Sequence, residues 1–156
     1  MKYYAGIGSR SAPAEVCAKL TLIASELEVL SYVLRSGGAS GADKAFEHGV
    51  CLPYNKTILR PKHSTKEAEL VASKIHPMWS ACNEYARQLH GRNVQLILGE
   101  NLLDPVDFVI AWTLDGANKG GTRTGLVLAA ERGIPCFNLA LQEDETKLKA
   151  FMQSLK

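Results

Sequence analysis

Short apolar runs alternate along the chain with stretches of helical spacing. Residues 2–7 form the first run, which ends in Gly-Ile-Gly, and residues 14–31 then carry apolar side chains at helical intervals. A continuous apolar run is typical of a buried strand, and the second pattern is typical of an amphipathic helix. The chain is therefore predicted to begin with a strand, a glycine turn and a helix.

The same unit recurs further along the chain. The other predicted strands are residues 32–34, 56–59, 107–112 and 134–139, and the other predicted helices lie within residues 45–50, 65–90, 126–131 and 143–155, the last capped by Glu143 or Asp144. Pro77 interrupts the pattern of residues 65–90, because proline kinks or ends a helix, so two short helices or a helical hairpin are expected there. Residues 93–98 fit either a short strand or the end of a helix.

This alternation predicts the fold class. Strands that alternate with helices form an α/β protein with an open, mainly parallel sheet and helices on both faces, because right-handed crossovers place them there. With 46% hydrophobic and 22% charged residues, the composition is that of a globular protein. The length of 156 residues suits one ordinary domain, so residues 1–156 are expected to share a single core.

The charge of the chain does not by itself predict a broad nucleic-acid surface. Eighteen Lys and Arg residues against sixteen Asp and Glu residues leave a formal charge of +2, which is a weak bias. Anion binding is therefore expected to be local. No apolar run approaches the ~20 residues that span a bilayer, and the N-terminus lacks an apolar signal core, so a cytoplasmic location and no membrane partner are predicted.

The cysteines and histidines show no ligand spacing. The four cysteines are widely scattered, with no CxxC pair, at Cys17, Cys51, Cys82 and Cys136. Metal sites and disulfide frameworks depend on closely spaced or paired cysteines, so neither is predicted. The cysteines are expected to be reduced and mostly buried, and no cofactor is predicted.

Glycine-rich loops supply the candidate chemistry. Three of them each follow a predicted strand and open a predicted helix: Gly6–Arg10, Ser36–Asp43 and Gly120–Gly125. Glycine lets the backbone approach a ligand closely, and the first amides of a helix bind anions. In a parallel sheet such turns share the carboxyl edge, so the three loops are expected to bind one phosphate group in one crevice.

Several side chains in these loops have more than one interpretation. Arg10 is placed to pair with phosphate, and Asp43 either accepts a ribose hydroxyl or caps a helix. Trp112 stacks a base or belongs to the core, and Asp115 is a ribose or base acceptor, a general base or a turn-forming residue. The predicted ligand-binding residues are Gly6, Gly8, Ser9, Arg10, Ser36, Gly37, Gly38, Ser40, Gly41, Asp43, Trp112, Asp115, Lys119, Gly120, Gly121, Thr122 and Arg123. The third loop is not a Walker motif, so NTP hydrolysis of that type is disfavoured.

These segments resemble a known family. The segments that carry the resemblance are Tyr4–Arg10 with Pro13, Leu34–Asp43 with Ala45–Glu47 and Gly49, Asp107–Trp112, Gly120–Thr122 and Gly133–Pro135. In this order they resemble the Rossmann-like domain of DNA-processing protein A (DprA/Smf). That domain belongs to the SLOG superfamily, with the LOG-like phosphoribohydrolases and the YpsA-like proteins. The resemblance implies a nucleotide-binding domain, and stand-alone members of this kind are often carried by phages and bacteria.

The resemblance also implies roles for single positions. The matching positions are Gly37, Gly38, Ser40 and Gly41 in the phosphate loop, Gly120, Gly121 and Thr122 in the second loop, and Arg10 in the opening motif. LOG-like enzymes cleave an N-glycosidic bond with the motif Gly-Gly-x-Gly-Thr-x-x-Glu, and this chain has no glutamate at the matching place. Glu131 lies later on the same helix, where a solvated residue is the simpler interpretation.

Three functions fit these residues. A sensor or sequestering protein for a nucleotide or nucleotide-derived ligand is favoured, because the phosphate loops are intact beside an incomplete catalytic motif. A nucleoside-phosphate glycosidase would use Asp115 or Glu131. A DprA-like single-stranded DNA binder, which is less favoured, would use Arg10, Lys44, Lys119 and Arg123.

The resemblance bears on assembly and location as well. It implies a homo-oligomer, and residues 75–92, with Met78, Trp79 and Tyr85, offer an interface, although core burial explains them equally well. A phage-encoded chain would be located in the host cytoplasm.

Overall fold

A computed structural model describes residues 1–156 and contains five strands and six α-helices. The strands are β1 (Lys2–Gly8), β2 (Tyr32–Ser36), β3 (Lys56–Ile58), β4 (Phe108–Trp112) and β5 (Cys136–Asn138). The helices are α1 (Ala14–Val29), α2 (Ala42–Gly49), α3 (Lys66–Ser73), α4 (Glu84–Leu98), α5 (Thr122–Glu131) and α6 (Gln142–Ser154). None of these helices is suited in length and hydropathy to crossing a bilayer.

The five strands form one parallel sheet in the order β3-β2-β1-β4-β5. The predicted α/β class with a Rossmann-like sheet is therefore confirmed. Strand β1 pairs with β2 on one side and with β4 on the other, and its last residue, Gly8, lies beside Trp112. The direction of winding reverses between β1 and β4, and such a reversal leaves a crevice at the carboxyl edge of the sheet.

Helices cover both faces of the sheet. One core cluster joins β1, β2 and β4 to helices α1, α2 and α6 and includes Tyr4, Phe46 and Phe108, all fully buried. The other cluster packs helices α3, α4 and α5 on the opposite face through side chains such as Ile97 and Leu128. The central strands β1, β2 and β4 are buried on both faces over most of their length, which explains why they appear in the sequence as continuous apolar runs.

The ambiguous segment 93–98 is the buried end of helix α4. Every residue from Gly91 to Leu98 is buried, so this part of the helix has no polar stripe from which a helical period could be recognised. Strand formation there is excluded.

The predicted cap of the last helix is wrong. Helix α6 begins after Leu141 without a side-chain cap. The Asp144 carboxylate instead accepts a hydrogen bond from the backbone N–H of Asn138 at 2.9 Å, which ties the helix to the end of β5.

Candidate functional site

A crevice of about 520 Å³ lies at the carboxyl ends of β1 and β4. Its walls are the loop after β1, the loop between β4 and α5, the inner face of α4, and Ala39 and Asp43 around the start of α2. The residues that line it include Gly8, Ser9, Arg10, Asp43, Leu89, Arg92, Asn93, Leu96, Thr113, Asp115, Lys119, Gly120, Gly121 and Thr122. The first and third glycine loops thus meet in one crevice, at the point where the sheet reverses its winding.

The β4–α5 loop is held in place at its start. The Asn138 side chain is buried, accepts the N–H of Thr113 and donates to the Thr113 hydroxyl at 2.7 Å. Two residues later, Asp115 adopts a left-handed backbone with φ of 57°, followed by Gly116 with φ of 70°. Asp115 therefore forms the turn and also lines the crevice, where it is exposed.

The end of this loop presents free backbone donors to the crevice. Gly120 has φ of 64°, which a glycine adopts without strain, and helix α5 begins two residues later at Thr122. The first amides of a helix have no carbonyl partner within it. The N–H groups of Gly120, Gly121 and Thr122 donate to no other atom of the chain, so they form the donor set that an anion requires.

Three cationic side chains line the same crevice as these amides. Arg10 and Lys119 are exposed at the mouth of the crevice, whereas Arg92 is 6% exposed and lies in its wall. The Arg92 guanidinium donates to the carbonyls of Gly37 at 3.0 Å and Leu59 at 2.9 Å, and to the Asn93 side chain at 2.8 Å. Its orientation is therefore fixed before any ligand binds.

Asn93 links Arg92 to the glycine loop. Its Oδ1 accepts from the Arg92 Nε, and its Nδ2 donates to the carbonyl of Gly121 at 2.5 Å. The buried guanidinium, the amide side chain and the start of α5 are thus connected by direct hydrogen bonds. Displacement of Arg92 should consequently disturb the loop as well.

Asp43 is a buried carboxyl group in the same wall. It is 6% exposed, and one of its oxygens accepts the N–H of Ala39 at 3.3 Å. Burial raises the pKa of Asp43 to about 6, although the nearby Arg92 guanidinium opposes the rise. The predicted capping role is wrong, because Asp43 lies inside the first turn of α2, whose N-cap Gly41 has no side-chain cap. The Asp43 side chain instead holds the glycine loop through Ala39.

The glycines of the second loop do not line the crevice, although Ala39 and Asp43 of the same loop do. The guanidinium groups of Arg92 and Arg60 occupy the space where Cβ atoms of Gly37 and Gly38 would lie, at 2.7 and 2.6 Å, and donate to the two glycine carbonyls. The Ser36 hydroxyl is buried and donates to the carbonyl of Gly6 at 2.6 Å. Gly37 and Gly38 therefore admit neighbouring side chains of the chain itself. Ser36, Gly37 and Gly38 do not line the crevice, so they are not placed to bind a phosphate there.

Two other glycines serve packing. A Cβ atom at Gly6 would lie 2.5 Å from the Phe46 ring, and one at Gly41 would lie 2.6 Å from the backbone oxygens of Ser9 and Arg10. Gly6 lets helix α2 approach β1, and Gly41 lets the first two loops pack against each other. Neither lines the crevice.

Four further predicted residues lie elsewhere. Trp112 is 8% exposed and belongs to the core cluster, so it is not placed to stack a base. Arg123 points away from the crevice and donates to the carbonyl of Ile75 at 3.2 Å. Ser40 is exposed outside the crevice, and Glu131 is exposed at the opposite end of α5 from the loop.

Arg92 and Asn93 were not predicted as site residues from the sequence. Both lie in the segment of α4 whose buried residues obscure the helical period, and neither follows a strand. The available signal was the presence of Arg92, Asn93 and Gln95 within an otherwise apolar stretch, since charged and amide side chains are seldom buried without a partner.

Comparisons with known proteins bear on the fold. No protein-family model and no curated protein matches the chain. Among solved structures, it is similar to DNA processing protein A from Helicobacter pylori, a structure that concerns the single-stranded DNA binding mode of that protein. The two are 21% identical with a TM-score of 0.59, and the match covers 88% of this chain and 64% of the other. The chain therefore has a DprA-like Rossmann fold and spans less than two thirds of the chain it matches.

Proposed function

We propose that the crevice binds the phosphate group of a nucleotide or nucleotide-derived ligand, as a sensor or sequestering protein would. The observation that carries the proposal is the group of free amides at Gly120, Gly121 and Thr122, which meets the buried Arg92 and the exposed Arg10 and Lys119 in one crevice. Backbone donors at a helix start combined with cationic side chains favour a phosphate over a neutral ligand.

The size and the apolar wall of the crevice suit a ligand larger than phosphate alone. Its volume of about 520 Å³ falls within the roughly 300–1,000 Å³ of small-molecule sites. Leu89, Leu96 and Leu114 contribute apolar surface beside the polar groups. A nucleoside attached to the phosphate would pack against these leucines.

Binding is better supported than catalysis. Glu131 lies at the far end of α5, and Asp43 is engaged with the backbone of Ala39. Asp115 remains as an exposed carboxylate in the crevice, so glycosidase activity would depend on it. Incubation with nucleoside monophosphates is expected to release no free base, and release that is lost in Asp115→Asn would support the enzyme instead.

Replacement of Gly121 by alanine separates binding from folding. A Cβ atom at Gly121 would make ordinary contacts at 3.7 Å with Asn93 and 3.9 Å with Leu89, and its backbone is helical with φ of −64°. Gly121→Ala should therefore leave the free energy of unfolding within about 0.5 kcal/mol of the wild type. The methyl group projects into the crevice, so phosphate affinity should fall roughly tenfold or more, as expected when one charge-assisted hydrogen bond is lost.

Thermal unfolding with inorganic phosphate and nucleoside monophosphates measures both the stability of each variant and its affinity for these ligands. The wild type should be stabilised by these ligands, and the variant should have the same midpoint without ligand but a smaller shift with it. Exposed Arg132, at the end of α5, provides a matched surface control as Arg132→Met. A folded Gly121→Ala variant that binds phosphate as tightly as the wild type would contradict the proposal.

Single-stranded DNA is a second candidate ligand, favoured by the DprA-like fold and by the two exposed cations at the mouth of the crevice. Lys44 is paired with Glu47 at 3.3 Å and Arg123 with the carbonyl of Ile75, so Arg10 and Lys119 would make the phosphate contacts. Two such contacts predict a slope of about −1.4 in log affinity against log salt concentration. Titration of a labelled oligonucleotide at several salt concentrations tests this, and no binding at low salt would remove this candidate.

A further inference from the structure

Two histidines and a cysteine outside the crevice converge on one point. One ligand-capable atom from each of His76, Cys82 and His90 lies within 4.8 Å of the other two. The Cys82 sulfur is 3.8 Å from either ring nitrogen of His76, and the two imidazole rings have centroids 4.5 Å apart. All three side chains are half-buried.

Three separate elements supply these residues. His76 follows α3, Cys82 ends the turn formed by Trp79–Ala81, and His90 lies in the middle of α4. The segment between α3 and α4 is fastened to its surroundings, because Arg87 donates to the carbonyl of Trp79 and Arg123 donates to that of Ile75. The cluster is therefore positioned by the fold, although its members are six and eight residues apart in sequence.

We propose that His76, Cys82 and His90 bind a zinc-class divalent cation, with the fourth coordination position open to water or another ligand. Two imidazoles and a thiolate are preferred ligands of borderline-soft ions such as Zn²⁺. Hard cations such as Mg²⁺ and Ca²⁺ prefer oxygen ligands and are not expected here.

The present distances are close to those of a tetrahedral site. Zinc bonds of about 2.0–2.1 Å to nitrogen and 2.3 Å to sulfur place neighbouring ligand atoms about 3.3–3.6 Å apart. The Cys82–His76 distance of 3.8 Å is near that value, and the upper limit of 4.8 Å for the set requires small side-chain rotations. Binding would release the thiol proton of Cys82 to solvent, because the thiolate is the ligand.

The second nitrogen of His90 is already oriented. Its Nδ1 lies 2.8 Å from the hydroxyl of Thr124, a residue that is 1% exposed in α5. Such a partner fixes the ring and leaves Nε2 for the metal, as outer hydrogen bonds do in zinc proteins.

One ring nitrogen of His76 already has a partner. Its Nδ1 accepts the backbone N–H of Met78 at 3.0 Å. Coordination through Nε2, which is equally close to the Cys82 sulfur, leaves this hydrogen bond intact. Coordination through Nδ1 would displace the amide, and the cost would be that of one hydrogen bond at the exposed residue Met78.

Cobalt titration tests the site, because Co²⁺ adopts zinc geometry and absorbs strongly when a thiolate binds it. In a non-thiol reductant, the wild-type chain should develop a thiolate-to-cobalt charge-transfer band that saturates at one ion per chain and is abolished by excess Zn²⁺. Cys82→Ser should lose the band, whereas Cys51→Ser, which changes an exposed cysteine, should retain it. His90→Gln should weaken zinc binding at least tenfold, and His48→Gln, at an exposed position on α2, should not.

Thr124 supplies an independent test. Thr124→Val should lower zinc affinity about 10- to 100-fold, and Thr124→Ser, which retains the hydroxyl, should restore most of it. Circular dichroism establishes that each variant is folded. A cobalt spectrum without the thiolate band, or one that is unchanged in folded Cys82→Ser, would overturn the proposal, and neither result depends on phosphate binding in the crevice.

Discussion

Replacement of Arg92 by methionine should destabilise the chain by about 3–5 kcal/mol and abolish phosphate binding. The guanidinium donates three hydrogen bonds, to the carbonyls of Gly37 and Leu59 and to the side chain of Asn93, in a place where water cannot replace it. Each buried acceptor that loses its donor costs about 1–3 kcal/mol, and removal of a buried charge that faces Asp43 costs energy in addition. Methionine is chosen because it fills a similar volume.

Urea denaturation measures this effect, with Arg132→Met as the matched control. Arg132 is exposed at the end of α5 and has no side-chain hydrogen bond within the chain, so its replacement should change the free energy of unfolding by less than about 0.5 kcal/mol. If Arg92→Met were as stable as this control, the buried network would have no energetic role.

The double variant with Asp43→Asn shows how much of the loss is electrostatic. When Arg92 is absent, the ionised Asp43 has lost the cation whose charge opposes the rise of its pKa. Removal of the carboxylate in the double variant should then recover about 0.5–3 kcal/mol of the free energy of unfolding that Arg92→Met loses. This is the usual range of coupling between interacting residues. A purely additive double variant would indicate that the two groups do not interact.

The strands and the crevice edge could be predicted because they depend on local patterns. Buried parallel strands are continuous apolar runs, and their order along the chain places the turns after β1, β2 and β4 at one edge of the sheet. In the first two loops, the glycines correctly predicted that other groups approach the backbone closely, whereas Gly120 has open space beside it. The sequence did not reveal what approaches each glycine.

The second loop shows why that distinction is beyond a local pattern. Gly37 and Gly38 have the spacing of a phosphate loop, yet the groups beside them are the Arg92 and Arg60 side chains of the chain itself. Arg92 comes from a helix that is distant in sequence. A pattern read along the chain cannot distinguish an internal guanidinium from an external anion that needs the same space.

The cluster of His76, Cys82 and His90 was missed for a related reason. Metal motifs are recognised by short spacings within one element, such as a CxxC pair. Here the ligands lie on a turn, at the end of another turn and on a helix, and only the packing of α3 against α4 brings them together.

The Asp43 carboxyl group should make the chain less stable as the pH rises from about 4 to about 6. The unfolded chain releases this proton near the ordinary value of 3.8, whereas burial raises the pKa of Asp43 in the folded chain to about 6. In this interval the folded state binds more protons, so the free energy of unfolding falls as pH rises, by up to about 3 kcal/mol. The contribution is fully present below about pH 4 and is lost above about pH 6.

Other carboxylates titrate in the same range, so the measurement is the difference between the wild type and Asp43→Asn in urea denaturation from pH 4 to pH 8. Glu131→Gln removes an acid at an exposed position and serves as the control. Its pH profile should differ from that of Asp43→Asn in the same way as the wild-type profile does. A wild type and an Asp43→Asn variant with parallel pH profiles would show that Asp43 has its ordinary pKa.

The same carboxyl group should make anion binding depend on pH. A bound anion repels the ionised carboxylate, so binding and protonation of Asp43 assist each other, and affinity should be roughly tenfold higher at pH 5 than at pH 8, equivalent to 1.4 kcal/mol of repulsion. Sulfate is the suitable probe, because phosphate monoesters titrate near pH 6 themselves. Asp43→Asn should bind sulfate with the same affinity at both values of pH. Sulfate binding that is equally pH-dependent in this variant would place the responsible group elsewhere.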